Sequence, residues 1–230
     1  MKILVTRPIE DGEETARQLE SRGHQALLAP LLTTKMLDGP EVSLDGVQAI
    51  LATSANGVRA LVRRTNRRDV PLFAVGPQTA SQAQSAGFEI VKSADGDAQD
   101  LAKAASRWAE KDKGALLHVA GEGNDGKLMQ ALEGFTLRQE ILYAVTAVDA
   151  LPAQTVAALR LEDIDAALFY SPRSAQVFAD CALKEEGLAL DGVIAACISA
   201  ATAAALMPLG FRQVLVASKP NQSALLKLLD

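Results

Sequence analysis

Four short stretches of the sequence concentrate hydroxyl and amide side chains with glycine and proline. They are Thr53-Ser54-Ala55-Asn56-Gly57, Gly76-Pro77-Gln78-Thr79, Ser171-Pro172-Arg173-Ser174 and Ser199-Ala200-Ala201-Thr202. Each follows a short apolar run. Where a strand ends and a helix begins, unpaired backbone N–H groups and the positive end of the helix dipole favour an anion. Serine, threonine and asparagine are also ordinary helix N-caps, so capping alone accounts for any one stretch. Four such turns on one side of two sheets suit a polyanion held by hydrogen bonds more than one clamped by point charges. Arg7, directly after the first apolar run, and Arg173 are the cationic candidates, and Lys127 is a weaker one. Each also reads as a solvated surface cation. Tyr143 carries a phenol that can donate a proton or hold a leaving hydroxyl. Its simpler reading is a half-buried interface aromatic. Tyr170, next to Ser171, faces the other way by strand alternation and reads as structural.

Other chemistries lack their residues. His24 and His118 are the only histidines, and neither stands in a metal or triad motif. Cys181 and Cys197 have no metal-ligand spacing and read as buried free thiols. Gly121, Gly123 and Gly126 have the spacing of a dinucleotide loop between a strand and a helix. However, Glu122 and Asp125 inside that loop would repel a pyrophosphate, and no acid stands at a strand end ~20 residues on. Basic residues cluster only at Arg63-Arg64 and Arg67-Arg68, without aromatic interleaving, and the formal net charge is −5. A nucleic-acid partner is therefore not expected. No apolar run reaches the roughly 18 residues of a membrane span, and the apolar start is too short for a signal peptide. A cytoplasmic protein without a membrane partner is expected.

The elements that must position these residues alternate along the chain. Strands are expected at Ile3–Thr6, Gln25–Leu32 (interrupted by Pro30), Ala49–Ala52, Val70–Val75, Phe88–Val91, Ala115–Val119, Val193–Ile198 and Val214–Ala217. A long extended stretch, Arg138–Val148, contains Tyr143. Helices are expected over Asp11–Arg22, from Val58, after Pro77, over Asp97–Lys111, over Lys127–Leu132, over Pro152–Leu159 and over Gln222–Leu229. A repeat runs through this order. The interval from Ser54 to Ser171 equals that from Gly57 to Ser174, and Thr79 to Thr202 equals Gly87 to Gly210. The pattern implies an α/β protein of two related halves with mainly parallel sheets flanked by helices. Ligands of such sheets bind beyond the carboxyl ends of the strands, where all four turns fall.

The ordered set of motifs resembles the uroporphyrinogen-III synthase family. It comprises Val5-Thr6-Arg7-Pro8, Thr53 to Val58, Ala74 to Ala80, Leu142-Tyr143, Phe169 to Ala175, Ile198 to Ala203 and Ser218-Lys219-Pro220. The resemblance runs nearly the whole length, in the family's order. It implies two similar α/β domains joined by a two-stranded linker. One domain would be discontinuous (1–34 plus 149–230) and the other inserted (37–146), with linkers near 32–36 and 143–148. The repeat alone suggests tandem halves instead. The implied reaction is closure of hydroxymethylbilane, a linear tetrapyrrole with acetate and propionate arms, through a spiro intermediate. The last ring is inverted, water is lost and no cofactor takes part.

By family position Tyr143 is the candidate acid for the leaving hydroxyl. Arg7, Thr53, Ser54, Asn56, Gly57, Gly76, Thr79, Ser171, Pro172, Arg173, Ser174, Ser199 and Thr202 are the candidate substrate contacts. The sequence departs from the family's Arg-Gly-x-x-Gly-Arg run: here the run is Ala120 to Lys127, without the arginine before the first glycine, and Lys127 is the one cation in it. The expected partner is the small-molecule substrate, and the expected state is a monomer. The alternative function is a non-catalytic two-domain binder or sensor of an anionic metabolite.

Overall fold

The computed structural model describes residues 1–124 and 126–229, and Asp125 of the glycine-rich loop lies outside them. The chain starts with β1 (Lys2–Val5), α1 (Ile9–Glu20), β2 (Gln25–Leu28), β3 (Leu32–Met36), β4 (Val47–Ala52) and α2 (Ala55–Leu61). It continues through β5 (Leu72–Ala74), α3 (Pro77–Ser85), β6 (Val91–Ser93), α4 (Ala98–Trp108), β7 (Ala115–Gly121), α5 (Lys127–Gln130) and β8 (Leu137–Ala147). The remainder is α6 (Ala153–Arg160), β9 (Ala166–Phe169), α7 (Pro172–Ala182), β10 (Ile194–Cys197), α8 (Ala200–Ala204), β11 (Gln213–Val216) and α9 (Gln222–Leu226). These elements form two compact units. One is Thr34–Val145, and the other joins Met1–Thr33 to the chain from Thr146 onward.

The discontinuous unit holds a five-stranded sheet in the order β11-β10-β9-β1-β2, parallel throughout. Side chains of a strand alternate between faces, and here both faces are covered, which is why the strands read as unbroken apolar runs. Leu4, Ala167, Phe169, Ala195 and Cys197 meet α6 and α7 through Val156, Leu159 and Phe178. Ile3, Val5, Ala166, Leu168 and Ala196 meet α1 and α9 through Leu19, Leu225 and Leu226.

The continuous unit holds a six-stranded sheet in the order β3-β8-β7-β4-β5-β6. Its β4–β5, β4–β7, β5–β6 and β7–β8 pairs are parallel. Ile50, Ala52, Leu72, Leu117 and Val119 pack under α2 and α3. Ala49, Leu51, Phe73 and Leu116 pack under α4 and α5. Trp108 sits edge-on to Phe73, with centroids 5.1 Å apart, as a packing residue.

Three expected elements differ. Gln25–Leu32 is not one interrupted strand. Pro30 has no N–H for a ladder, and the chain leaves the first sheet at Leu28 and enters the second at Leu32. The helix expected from Val58 begins at Ala55, because Ser54 caps it. The strand expected at Phe88–Val91 is displaced to Val91–Ser93, and Phe88 is buried beneath α3 instead.

Candidate functional site

The four hydroxyl-rich turns take one backbone form. Ser54, Gly76, Ser171 and Ser199 are the N-caps of α2, α3, α7 and α8, all extended, with φ of −158°, −162°, −158° and −155°. Each stands at the carboxyl end of a parallel strand, so the repeat seen in the sequence is a repeat of one junction. The three serines do cap. Ser171 Oγ accepts from the N–H of Ser174 at 3.1 Å and Ser199 Oγ from that of Thr202 at 3.3 Å. Ser174 and Thr202 are buried, and their hydroxyls lie 3.0 Å from those of Ser171 and Ser199. Thr79, two residues into α3, is buried as well.

Ser54 does more than cap. Its Oγ accepts from the N–H groups of Asn56 at 3.0 Å and Gly57 at 3.4 Å, and lies 3.1 Å from the Tyr143 hydroxyl. A serine oxygen has two lone pairs and one hydrogen. The Gly57 N–H is shared with the Ser54 carbonyl at 3.1 Å, and with backbone donors already on Ser54 Oγ the arrangement that satisfies all the groups has Ser54 donating its hydrogen to the phenol oxygen. The phenol hydrogen of Tyr143 is then left to donate elsewhere.

Two glycines make this approach possible. A Cβ on Gly121 would lie 2.6 Å from Cε2 of Tyr143, so the ring rests directly on the β7 backbone. A Cβ on Gly57 would lie 2.9 Å from the Val119 carbonyl oxygen, so the first turn of α2 rests on the same strand. A bulge aims the tyrosine. Gln139 pairs with His118 in register, but a shift between Ala120 and Gly121 brings Tyr143 level with Gly121. Tyr143 thereby joins Leu117 and Val119, on the face opposite to His118.

The amide of Asn56 is already committed. It donates to Thr34 Oγ1 at 3.0 Å and accepts from Arg59 at 2.7 Å, while Arg59 also donates to Gln82 of α3 at 3.0 Å. No sequence motif singles out Arg59. Its place one helical turn beyond Asn56 is the signal that would have found it. His118, which stands in no metal motif, is nonetheless held at both ring nitrogens. It is 2% exposed, and its Nε2 lies 3.4 Å from Thr53 Oγ1 and its Nδ1 3.1 Å from Nε2 of Gln139. Burial alone pushes its pKa down to about 4, so the imidazole is neutral near pH 7.

In the discontinuous unit Arg7 is held on three sides. It donates to Gln222 at 2.7 Å and to Asp11 at 3.2 Å, and its guanidinium stacks 4.3 Å above the Tyr170 ring. Tyr170 packs against the cluster of Ile3 and Val5, and burial pushes its phenol upward. Pro172 and Arg173 are exposed on the first turn of α7. Thus Thr53, Ser54, Asn56, Gly57 and Tyr143 are brought together in one unit. Arg7, Ser171, Ser174, Ser199 and Thr202 stand on neighbouring strand ends of the other. Among the described residues no cluster of His, Cys, Asp and Glu could hold a metal ion.

The fold and these turns define a two-unit α/β protein with hydroxyl-bearing helix caps at its strand ends. Solved structures share the fold. Uroporphyrinogen-III synthetase of Helicobacter pylori is 18% identical with a TM-score of 0.66, covering 99% of this chain and 97% of its own. A mutant uroporphyrinogen III synthase of Thermus thermophilus is 19% identical with a TM-score of 0.54, covering 100% and 97%. No curated protein sequence matches the chain significantly. The family model described as uroporphyrinogen-III synthase HemD matches residues 13–227. The chain belongs to the uroporphyrinogen-III synthase family, whose members are cyclising lyases of tetrapyrrole biosynthesis.

Proposed function

We propose that this chain carries out the family's reaction with Tyr143 as the acid. The observation that carries this assignment is the 3.1 Å contact between Ser54 and Tyr143, which leaves the phenol hydrogen free to donate. The hydroxymethyl C–O bond of hydroxymethylbilane breaks as the Tyr143 hydrogen passes to the departing oxygen. Water leaves, and the terminal pyrrole becomes an azafulvenium cation beside the Tyr143 phenolate; the far end of the chain attacks this cation, and the proton released as the ring system rearomatises returns to the phenolate. The protein's remaining task is to fold the substrate so that the inverting closure outruns the unassisted head-to-tail one. Hydroxyls and helix N–H groups suit the carboxylate arms. Thr53, Gly76, Thr79, Ser171, Pro172, Arg173, Ser174, Ser199 and Thr202 are assigned to them, while Ser54 and the Gly57 N–H are taken up in holding Tyr143. Asn56 and Arg7 are engaged by protein groups, and we assign them to holding the turns.

The reaction needs no cofactor, because the leaving group is already on the substrate. The working domains are taken as 1–34 plus 149–230 and 37–146, a division supported by the two contact units. A monomer in the cytoplasm, independent of nucleic acid, accords with the net charge of −5 and with Cys181 and Cys197 as buried free thiols. No helix among the described residues is long and apolar enough to cross a membrane.

The test generates hydroxymethylbilane in place, oxidises the products and resolves the type I and type III isomers by chromatography. A type III excess that depends on this protein supports the assignment. Type I alone returns the weight to the non-catalytic binder, which the family match does not favour.

A further inference from the structure

The face of the second sheet opposite to Tyr143 carries a hydrogen-bond chain whose direction can be deduced. It runs from the loop after β7 through Asn124, Gln139 and His118 to Thr53. The Gly126 backbone N–H, which can only donate, lies 3.1 Å from the Asn124 side-chain oxygen. That same oxygen lies 3.3 Å from the Gln139 amide, so Gln139 presents its nitrogen there. The same nitrogen faces Nδ1 of His118 at 3.1 Å. Nδ1 must therefore accept. A neutral imidazole then carries its hydrogen on Nε2 and donates it to Thr53 Oγ1, 3.4 Å away. Every link after the backbone donor is forced by the one before it.

We propose that Gln139 and His118 act as positioning residues that make the Thr53 hydroxyl a donor toward substrate, reserving it for an anionic oxygen such as a carboxylate arm of the tetrapyrrole. Because Thr53 receives a hydrogen from His118, its own O–H points away from the protein chain of bonds. Its hydrogen, unused within this chain of bonds, is directed to an incoming acceptor, and a carboxylate oxygen is the strongest one. The relay thus adds an outward donor at this strand end: Ser54 sets Tyr143 on one face of the sheet, and His118 sets Thr53 on the other. Burial keeps His118 neutral at working pH, which the relay requires. The ligand class rests on the proposed function, whereas the direction of the relay stands on the ligand-free protein alone.

Two measurements test it. In the full-length, ligand-free protein with 15N-labelled imidazoles, long-range 1H–15N correlation reads the tautomer of His118. A His24→Asn variant separates the two histidines. The expected result is hydrogen on Nε2 at pH 7, and hydrogen on Nδ1 or on both nitrogens overturns the relay. In the isomer assay, His118→Leu should raise KM about tenfold, the size of one charge-assisted hydrogen bond, and leave kcat within about twofold. His118→Gln returns an N–H near the Nε2 position and should restore KM.

A Thr53→Val background separates positioning from packing. If His118 acts through Thr53, His118→Leu adds nothing to KM there, and a tenfold rise that persists in that background refutes the proposal. Should the wild type make only the type I isomer, the functional reading fails, and the tautomer still decides whether the relay exists.

Discussion

At the scale of single residues the decisive object is one phenol hydrogen. Tyr143→Phe keeps the ring on Gly121 and removes only the hydroxyl. Type III formation should then lose on the order of 10²-fold in kcat, within the range of general-acid groups, with little change in unfolding midpoint. A binding module would be indifferent to that change. Gly121→Ala tests the same geometry from the other side. Its methyl would fall 2.6 Å and 2.7 Å from Cε2 and Cζ of Tyr143, so the ring must tilt off Ser54. Initial rates should drop toward those of Tyr143→Phe although the phenol is still present. A rate equal to wild type would show that the ring position is not what matters.

His118 has a thermodynamic signature of its own. Its folded pKa of about 4 lies below the ordinary histidine value of 6.5. The unfolded chain therefore binds a proton first as pH falls. The stability contributed by neutral His118 is complete above about pH 6.5 and is lost progressively down to about pH 4, about 3 kcal/mol over the interval. Urea unfolding at pH 7 and pH 4.5 should show this loss in the wild type and not in His118→Gln.

At the scale of elements, Ser54 joins two roles that can be separated by comparison with a cap lying outside the turns assigned to substrate. Asp97 caps α4 in a capping box with Asp100. Asp97→Ala and Ser54→Ala should each cost about 1 kcal/mol of stability. Only Ser54→Ala should also slow catalysis, because only Ser54 holds the hydroxyl proposed as the acid. Equal activities in the two variants would reduce Ser54 to a cap. The caps were legible because capping is local chemistry: Ser54, Ser171 and Ser199 announce a helix start within three residues of themselves. The strands were legible as apolar runs, because both faces of each sheet are buried.

What could not be read is whatever depends on register. Arg7 meets Gln222 and His118 meets Gln139 only after strands distant in sequence have been ordered in a sheet. The bulge that turns Tyr143 onto Gly121 has no residue signature, since it depends on how β8 is laid against β7. Pro30 was visible as a break. That the break separates two sheets rather than interrupting one strand follows from pairings on either side, with β1 and with β8.

At the scale of the whole molecule, each core belongs to one unit. The clusters under α2 and α3 and under α4 and α5 draw only on residues between Met36 and Val145. Those around α6 and α7 and around α1 and α9 draw only on the rest of the chain. Hydrophobic burial is the main favourable term in folding, so a segment that contains its whole core contains most of its own stability. The fragment 32–147 includes β3 and all of β8, leaves no strand of its sheet unpaired, and exceeds the size at which single domains fold alone. Expressed by itself it should unfold in one cooperative transition and keep the hydrogen of His118 on the same nitrogen as in the full chain. It should make no type III isomer, because the contacts assigned around Ser171 and Ser199 are missing. Calorimetry and the same 15N correlation check both halves of this expectation. A fragment lacking a cooperative transition would show that the inserted unit depends on the other for its fold, and that burial confined to one unit does not by itself make that unit autonomous.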